Sequence, residues 1–208
     1  YLVDVLNNTW FDTIYHEHVD YHTLAPFEKL FARVGMEVIG VQRISPQGGS
    51  IRIMSQKKGG KFQRDASVDS LIALENELGL DKAKTLHEFD KKISLVREEL
   101  QKLVLSLKAN GKSIAGFGAP TKATTLMGHF GLDQSVLDFI VDDNPLKQGL
   151  FTPTTHIPVL SAEALYERRP DYVLILAWNF AEPIMKMHQR YAQQVGKFIL
   201  PMPVPKIM

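Results

Sequence analysis

Apolar residues recur at helical spacing over residues 24–34, where Leu24, Phe27, Leu30, Phe31 and Val34 fall on one face. Thr23 stands where an N-cap belongs and Gly35 where a helix stops. The period then changes. Residues 37–42 read as a strand, Gly48-Gly49 as a turn, and residues 50–55 alternate polar and apolar positions like a strand with one wet face. A helix followed by two adjacent strands predicts a closing antiparallel hairpin. A polar joint, Lys57-Lys58-Gly59-Gly60-Lys61, separates this region from two helical stretches. Residues 68–78 carry Val68, Leu71, Ile72, Glu75 and Leu78 on one stripe. Residues 82–109 carry Leu86, Phe89, Ile93, Val96, Leu100, Leu103, Val104 and Leu107, and Gly111 ends the run. The stripe broadens from Leu103 to Leu107, which suits packing on a sheet better than a narrow coiled-coil seam.

From residue 111 onward strands and helices alternate. Strands are predicted at 113–118, 136–142, 172–178 and 197–201, with helices at 121–130, 162–167 and 183–194. Near-continuous apolar strands separated by helices predict a parallel sheet covered on both faces. The first of these strands ends in Gly116-x-Gly118 directly before a helix, the place where a Rossmann fold cradles phosphate. Thr121 stands where the third glycine of that fingerprint would be, and Lys122-Ala123 departs from a P-loop. Asp142 ends the next strand, where an acidic residue can hold a ribose hydroxyl. Asn144, Lys147 and His156 lie in the loop beyond it, and Trp178-Asn179 ends a later strand. Gly116, Gly118, Lys122, Asp142, Asn144, Lys147, His156 and Asn179 are therefore the candidate ligand-facing residues of this edge.

Composition narrows the function classes. Twenty-four basic and 23 acidic residues give a net charge of +1 in 208 residues, which points to neither nucleic acid nor an anionic membrane as partner. The chain contains no cysteine, so disulfide and thiolate chemistry within it are excluded, in keeping with a cytoplasmic location. No apolar run approaches the roughly 20 residues that span a bilayer. The chain opens on Tyr1 and an apolar run, which suggests a piece of a longer protein.

The densest candidate chemistry is Tyr15-His16-Glu17-His18. Three of the seven histidines, His16, His18 and His22, fall within seven positions. Histidine is the side chain whose ordinary pKa lies near neutrality. Three readings stand side by side. The histidines could be solvated or satisfied structural groups. They could ligate a metal, since His16 and His18 would share a strand face and His18 and His22 a helix face; the isolated positions of His129, His156 and His188 offer no second cluster for such a site. Or a neutral histidine could take a proton from a carbon beside a carbonyl, with a tyrosine hydroxyl steadying the enolate and a carboxylate orienting the ring.

Several longer runs carry a family resemblance. Phe11-Asp-Thr-Ile-Tyr-His-Glu-His18, Leu30-Phe-Ala-Arg-Val-Gly-Met-Glu-Val38 and Gly48-Gly-Ser-Ile-Arg52 resemble the later part of the SAM-dependent sugar C-methyltransferases. Gly116-Phe-Gly-Ala-Pro-Thr-Lys122, Val141-Asp-Asp-Asn-Pro-Leu-Lys-Gln-Gly149, Thr155-His-Ile-Pro-Val159 and Leu174-Ile-Leu-Ala-Trp-Asn-Phe180 resemble the C-terminal domain of that family. The resemblance covers nearly the whole chain. It implies methylation of a ring carbon beside a keto group on a nucleotide-linked deoxysugar. His18 falls at the family's general-base position, and Tyr15 and Glu17 at the neighbouring active-site positions. The family's glycine-rich SAM loop and its cysteine-rich zinc domain do not occur in these residues. The resemblance thus implies that zinc belongs to a domain outside them, and that the chain by itself binds SAM poorly or not at all. Residues 1–56 then correspond to the end of a methyltransferase domain, 57–110 to a helical connector, and 111–208 to a Rossmann-like α/β domain that binds substrate or nucleotide.

Overall fold

The computed structural model describes residues 1–194 and 196–208. The chain forms two compact units, one of Tyr1–Trp10 and Glu17–Lys92, the other of Phe11–His16 and Ile93–Met208.

The first unit begins with helix α1 (Leu2–Asn8), formed by the opening apolar run that periodicity left unassigned. Helix α2 (Leu24–Arg33) follows, then strands β1 (Met36–Ile44) and β2 (Ser50–Lys57), which pair antiparallel as the alternation predicted. Helix α3 (Ala66–Glu77) closes the unit over a core of Leu24, Val38, Val41, Val68 and Leu71. The expected Thr23 cap makes no side-chain hydrogen bond to α2. The carboxylate of Glu75, buried on α3, takes that place. It accepts from the amides of Leu24 (2.7 Å) and Ala25 (3.3 Å) and from the Tyr1 hydroxyl (2.9 Å). A carboxylate offers two oxygens to the orphan donors of a helix start, and its charge suits the positive end of the helix dipole.

Helix α4 (Ala83–Ala109) runs from the first unit into the second. Ile93, Val96, Leu100 and Val104 are its buried positions, whereas Leu86, expected on the same stripe, is exposed. The rest of the second unit comprises β3 (Ile114–Phe117), α5 (Ala123–Phe130), β4 (Ile140–Val141), β5 (Val159–Leu160), α6 (Ala164–Arg168), β6 (Tyr172–Ile175), α7 (Ala181–Met187), α8 (Gln189–Gln194), β7 (Lys197–Leu200) and β8 (Lys206–Ile207). The six-stranded sheet has the order β5-β4-β3-β6-β7-β8. It is parallel except for β8, an antiparallel edge, so the α/β class expected from the strand–helix alternation holds. From β3 the chain builds outward through β4 and β5, then returns to β6 on the other side. In open α/β sheets that reversal opens a crevice at the strands' carboxyl ends.

Three predicted elements are shorter or broken. Residues 133–138 do not join the strand foreseen over 136–142. The Asp133 carboxylate captures the Ser135 amide (2.8 Å) and its carbonyl the amides of Val136 and Leu137, which turns the chain before β4. The strand foreseen to run to Trp178 stops at Ile175, and Trp178–Phe180 forms a 3-10 turn. The helix foreseen over 183–194 is interrupted at His188.

His188 is buried, its Nδ1 2.9 Å from the Tyr166 hydroxyl and its ring centroid 4.9 Å from that of Phe117. Burial pushes its pKa down, against the nearby carboxylates of Asp143 and Glu163. The folded state therefore holds the ring neutral where an unfolded chain would take up a proton. The stability tied to the neutral ring is present above the ordinary histidine pKa and is lost as pH falls toward the lowered folded value. Urea unfolding of the second unit should become easier between about pH 7 and 5, by up to about 1.4 kcal/mol per pH unit. His188→Gln should flatten that slope.

Candidate functional site

The residues singled out in the sequence lie on two structural features. Phe11–Thr13 is a single 3-10 turn, and residues 14–23 form neither helix nor strand. Tyr15 is half-buried, and its amide donates to the Thr13 carbonyl (3.1 Å). Its ring stands edge-on to that of the exposed His16, with centroids 5.8 Å apart. Glu17 is exposed and His18 half-buried. Four residues later, the exposed His22 lies against Phe27 (4.6 Å between centroids), and its carbonyl accepts from the Leu2 amide. The irregular backbone removes the shared strand or helix face on which a His16, His18, His22 metal set would depend. Among the described residues no group of three or more His, Asp or Glu is placed to hold a metal ion. Irregular backbone suits proton chemistry, because loops on a rigid scaffold present side chains that regular elements would bury.

The second feature is the carboxyl edge of the sheet in the second unit. Gly116 is buried inside β3, where a Cβ would lie 2.8 Å from the Ile140 side chain. Gly118 adopts φ 88°, and a Cβ there would lie 2.7 Å from that of Ala177. Gly116 is therefore explained by the close approach of β4, and Gly118 by its positive φ and the close approach of Ala177 just past β6. The amide of Ala119 donates to Asp142 Oδ2 (2.7 Å), and that of Asn144 to Asp142 Oδ1 (2.8 Å). Lys147 adds its ammonium to Asp142 Oδ2 (3.3 Å) and to the Ala119 carbonyl (2.9 Å). Asp142, placed by sequence where a ribose hydroxyl would be held, instead ties the glycine turn to the loop after β4. Both its oxygens have partners within the fold.

A cavity of about 320 Å³ opens beside this tie, and its walls include Pro120, Met127, Leu150, Phe151 and Val159. Of the predicted binding residues only Lys147 lines it. His156 and Asn179 are exposed; the former has φ 52°, and its carbonyl accepts from the Gln134 amide. Thr154, a β-branched residue at φ 67° on the cavity wall, is a backbone outlier of the kind found at ligand sites.

Lys122 has a partner that periodicity did not reveal. Its ammonium lies 3.2 Å from Asp12 Oδ2 and 4.1 Å from the centre of the Trp178 ring, whose indole N–H donates to the same oxygen (2.6 Å). Asp12 is wholly buried, and its Oδ1 has no hydrogen-bond partner among the described residues. Burial pushes the Asp12 carboxyl up and the Lys122 ammonium down, and in each case the oppositely charged partner resists the shift. The available signal was an acidic residue standing alone in the aromatic and apolar run Trp10, Phe11, Ile14.

Residues 45–203 match the family described as the C-methyltransferase C-terminal domain. The C-methyltransferase NovU of Streptomyces niveus is 36% identical over 208 residues, covering all of this chain and 50% of that protein. The chain thus spans about half the length of the curated relative it matches. Among the described residues no helix is long and apolar enough to cross a membrane.

Proposed function

This chain belongs to the C-methyltransferase family, and on that premise we propose that it carries the proton-transfer residues and substrate-side domain of an enzyme that methylates a carbon alpha to a ketone. The substrate class we propose is a nucleotide-linked deoxysugar. The observation that carries the reading is the 36% identity along all of this chain to half of a C-methyltransferase, a span within which Tyr15-His16-Glu17-His18 falls.

In this reading the neutral His18 imidazole takes the hydrogen beside the ketone as a proton, and the C–H electron pair moves into an enolate. Tyr15 donates its hydroxyl hydrogen to the enolate oxygen, and Glu17 orients the imidazole and favours its protonated form. The half-buried state of Tyr15 supports its role, because partial removal from water strengthens a hydrogen bond to a developing oxyanion. Lys147 lines the apolar cavity, and the one ammonium N–H that the Asp142 carboxylate and the Ala119 carbonyl leave over is the proposed contact for a nucleotide phosphate.

Methyltransferase membership implies S-adenosylmethionine as methyl donor. The glycine turn of this chain does not fit that cofactor: Ala177 crowds Gly118, and the Ala119 amide and Asp142 carboxylate are already paired. No step is assigned to the cofactor at this turn. The same pairing counts against a non-catalytic nucleotide-binding module built on the turn.

The test is hydrogen exchange. In D2O the full-length protein should exchange the alpha hydrogen of a keto nucleotide sugar without methyl donor, read as loss of the proton signal by NMR. A protein that methylates such a sugar with no exchange on the methylation timescale would contradict the proposal.

A further inference from the structure

The Phe11–His16 segment belongs to the α/β unit, where Phe11, Asp12 and Ile14 meet residues along α5 and past the end of β6. The Phe11 ring lies 4.9 Å from His129 and 5.2 Å from Phe130. Thr125 donates its hydroxyl to the Ile14 carbonyl (3.3 Å). Between these contacts Asp12 accepts from Lys122, which directly precedes α5, and from Trp178, which follows β6. Tyr15 comes next, hydrogen-bonded through its amide to Thr13.

A largely buried charge pair is a poor way to gain stability, since desolvation offsets most of the attraction; apolar packing of the same volume would serve as well or better. Its stronger property is geometric. One carboxylate oxygen meets two donors, one at the start of α5 and one past the end of β6, so the segment has one register on α5. Sliding it by a residue would bring Phe11 or Thr13 between an ammonium and an indole N–H and leave the largely buried ammonium without its counter-charge.

We propose that Asp12, Lys122 and Trp178 form a positioning tie that sets the placement of Tyr15. The tie lies wholly within the α/β unit, which also holds Tyr15. This rests on the proton-transfer role given above to Tyr15-His16-Glu17-His18. Asp12, Lys122 and Trp178 act through Tyr15. An error of about an ångström in a reacting group can cost up to a hundredfold in rate, so a tie several residues away can matter to turnover while leaving binding alone.

The test uses the full-length protein with Trp178→Phe and Asp12→Asn. Trp178→Phe keeps an aromatic ring beside the Lys122 ammonium and removes the N–H together with part of the ring, and the melting temperature reports what the smaller ring costs. Three quantities are measured for each: alpha-hydrogen exchange in D2O, dissociation constant for the nucleotide sugar, and melting temperature. The tie predicts an exchange rate lower by about tenfold or more in Trp178→Phe, with the dissociation constant within about twofold of the parent. Asp12→Asn should lose more; if it does not fold, Trp178→Phe decides alone. Unchanged exchange in a folded Trp178→Phe protein overturns the tie and leaves the proton-transfer reading standing. Loss of substrate affinity in step with rate also overturns it, by showing a binding or purely structural role. Absence of exchange in the unsubstituted protein overturns both at once, a result distinguishable because it appears before any substitution.

Discussion

His18→Gln should reduce alpha-hydrogen exchange of a keto nucleotide sugar by at least about a hundredfold, the usual contribution of a positioned general base. Glutamine has a similar volume and keeps hydrogen-bonding capacity, but it cannot accept a proton near neutral pH. The dissociation constant for the sugar nucleotide should stay near the parent value, because the lost interaction is proton transfer in the transition state. Tyr15→Phe should slow the same step less, since it removes one donor to the enolate oxygen and leaves the base in place. His16→Gln, at the exposed histidine that the family resemblance does not place at the base position, is the control. Equal losses at His16 and His18 would locate the chemistry elsewhere in the segment. Retention of exchange in His18→Gln would remove His18 as the base.

The largest stability effect is expected at Glu75. Its carboxylate receives the first two amides of α2 and the Tyr1 hydroxyl, from residues distant in sequence. Burial, and then Glu75, push the Tyr1 phenol well above its ordinary pKa, the sign expected for a hydroxyl that donates to a carboxylate. Glu75→Ala leaves two amides and a phenol without an acceptor at a largely buried helix start, and should cost about 3 kcal/mol. Glu75→Gln keeps one acceptor oxygen and should cost about half as much. A lower urea midpoint would register the loss. Hydrogen exchange is the sharper readout, because the Leu24 and Ala25 amides should lose protection well beyond the rest of α2. Protection unchanged at those two amides would show that Thr23 or water caps the helix in solution.

The outcome at Glu75 also shows what periodicity could reach. The spacing of Val68, Leu71, Ile72, Glu75 and Leu78 put Glu75 on the buried stripe of α3, and the structure leaves it only 4% exposed. A one-dimensional pattern gives the face of a residue but not the element that face meets. The capping of α2 from α3 was therefore hidden, and local capping rules pointed to Thr23. Strand lengths failed for a related reason. Apolar content extended the strands to residues 136 and 178, but ladder pairing and the Asp133 turn confined them to Ile140–Val141 and Tyr172–Ile175.

At the candidate sites, side-chain type was legible and partnership was not. Gly118 and Asp142 occupy the turn and strand-end positions that their spacing implied, whereas Gly116 lies inside β3. The structure engages them in strand approach and loop tying, because the amide and ammonium donors that meet Asp142 come from two loops brought together only by folding. Asp12, never selected by motif, turned out to be the buried centre of an ion pair with a predicted binding residue, Lys122.

By itself the sequence determined the helix–hairpin–helix order of the first region, the strand–helix alternation of the last, and the concentration of proton-transferring side chains at Tyr15-His16-Glu17-His18. Each of these follows from local spacing and local chemistry. The tertiary structure alone decided that Phe11–His16 belongs with the α/β unit, that Glu75 caps a distant helix, and that Asp12 is held between Lys122 and Trp178. These are long-range electrostatic and hydrogen-bonded pairings. A buried polar group must find a partner somewhere in the fold, and nothing in its near sequence says which distant group that will be.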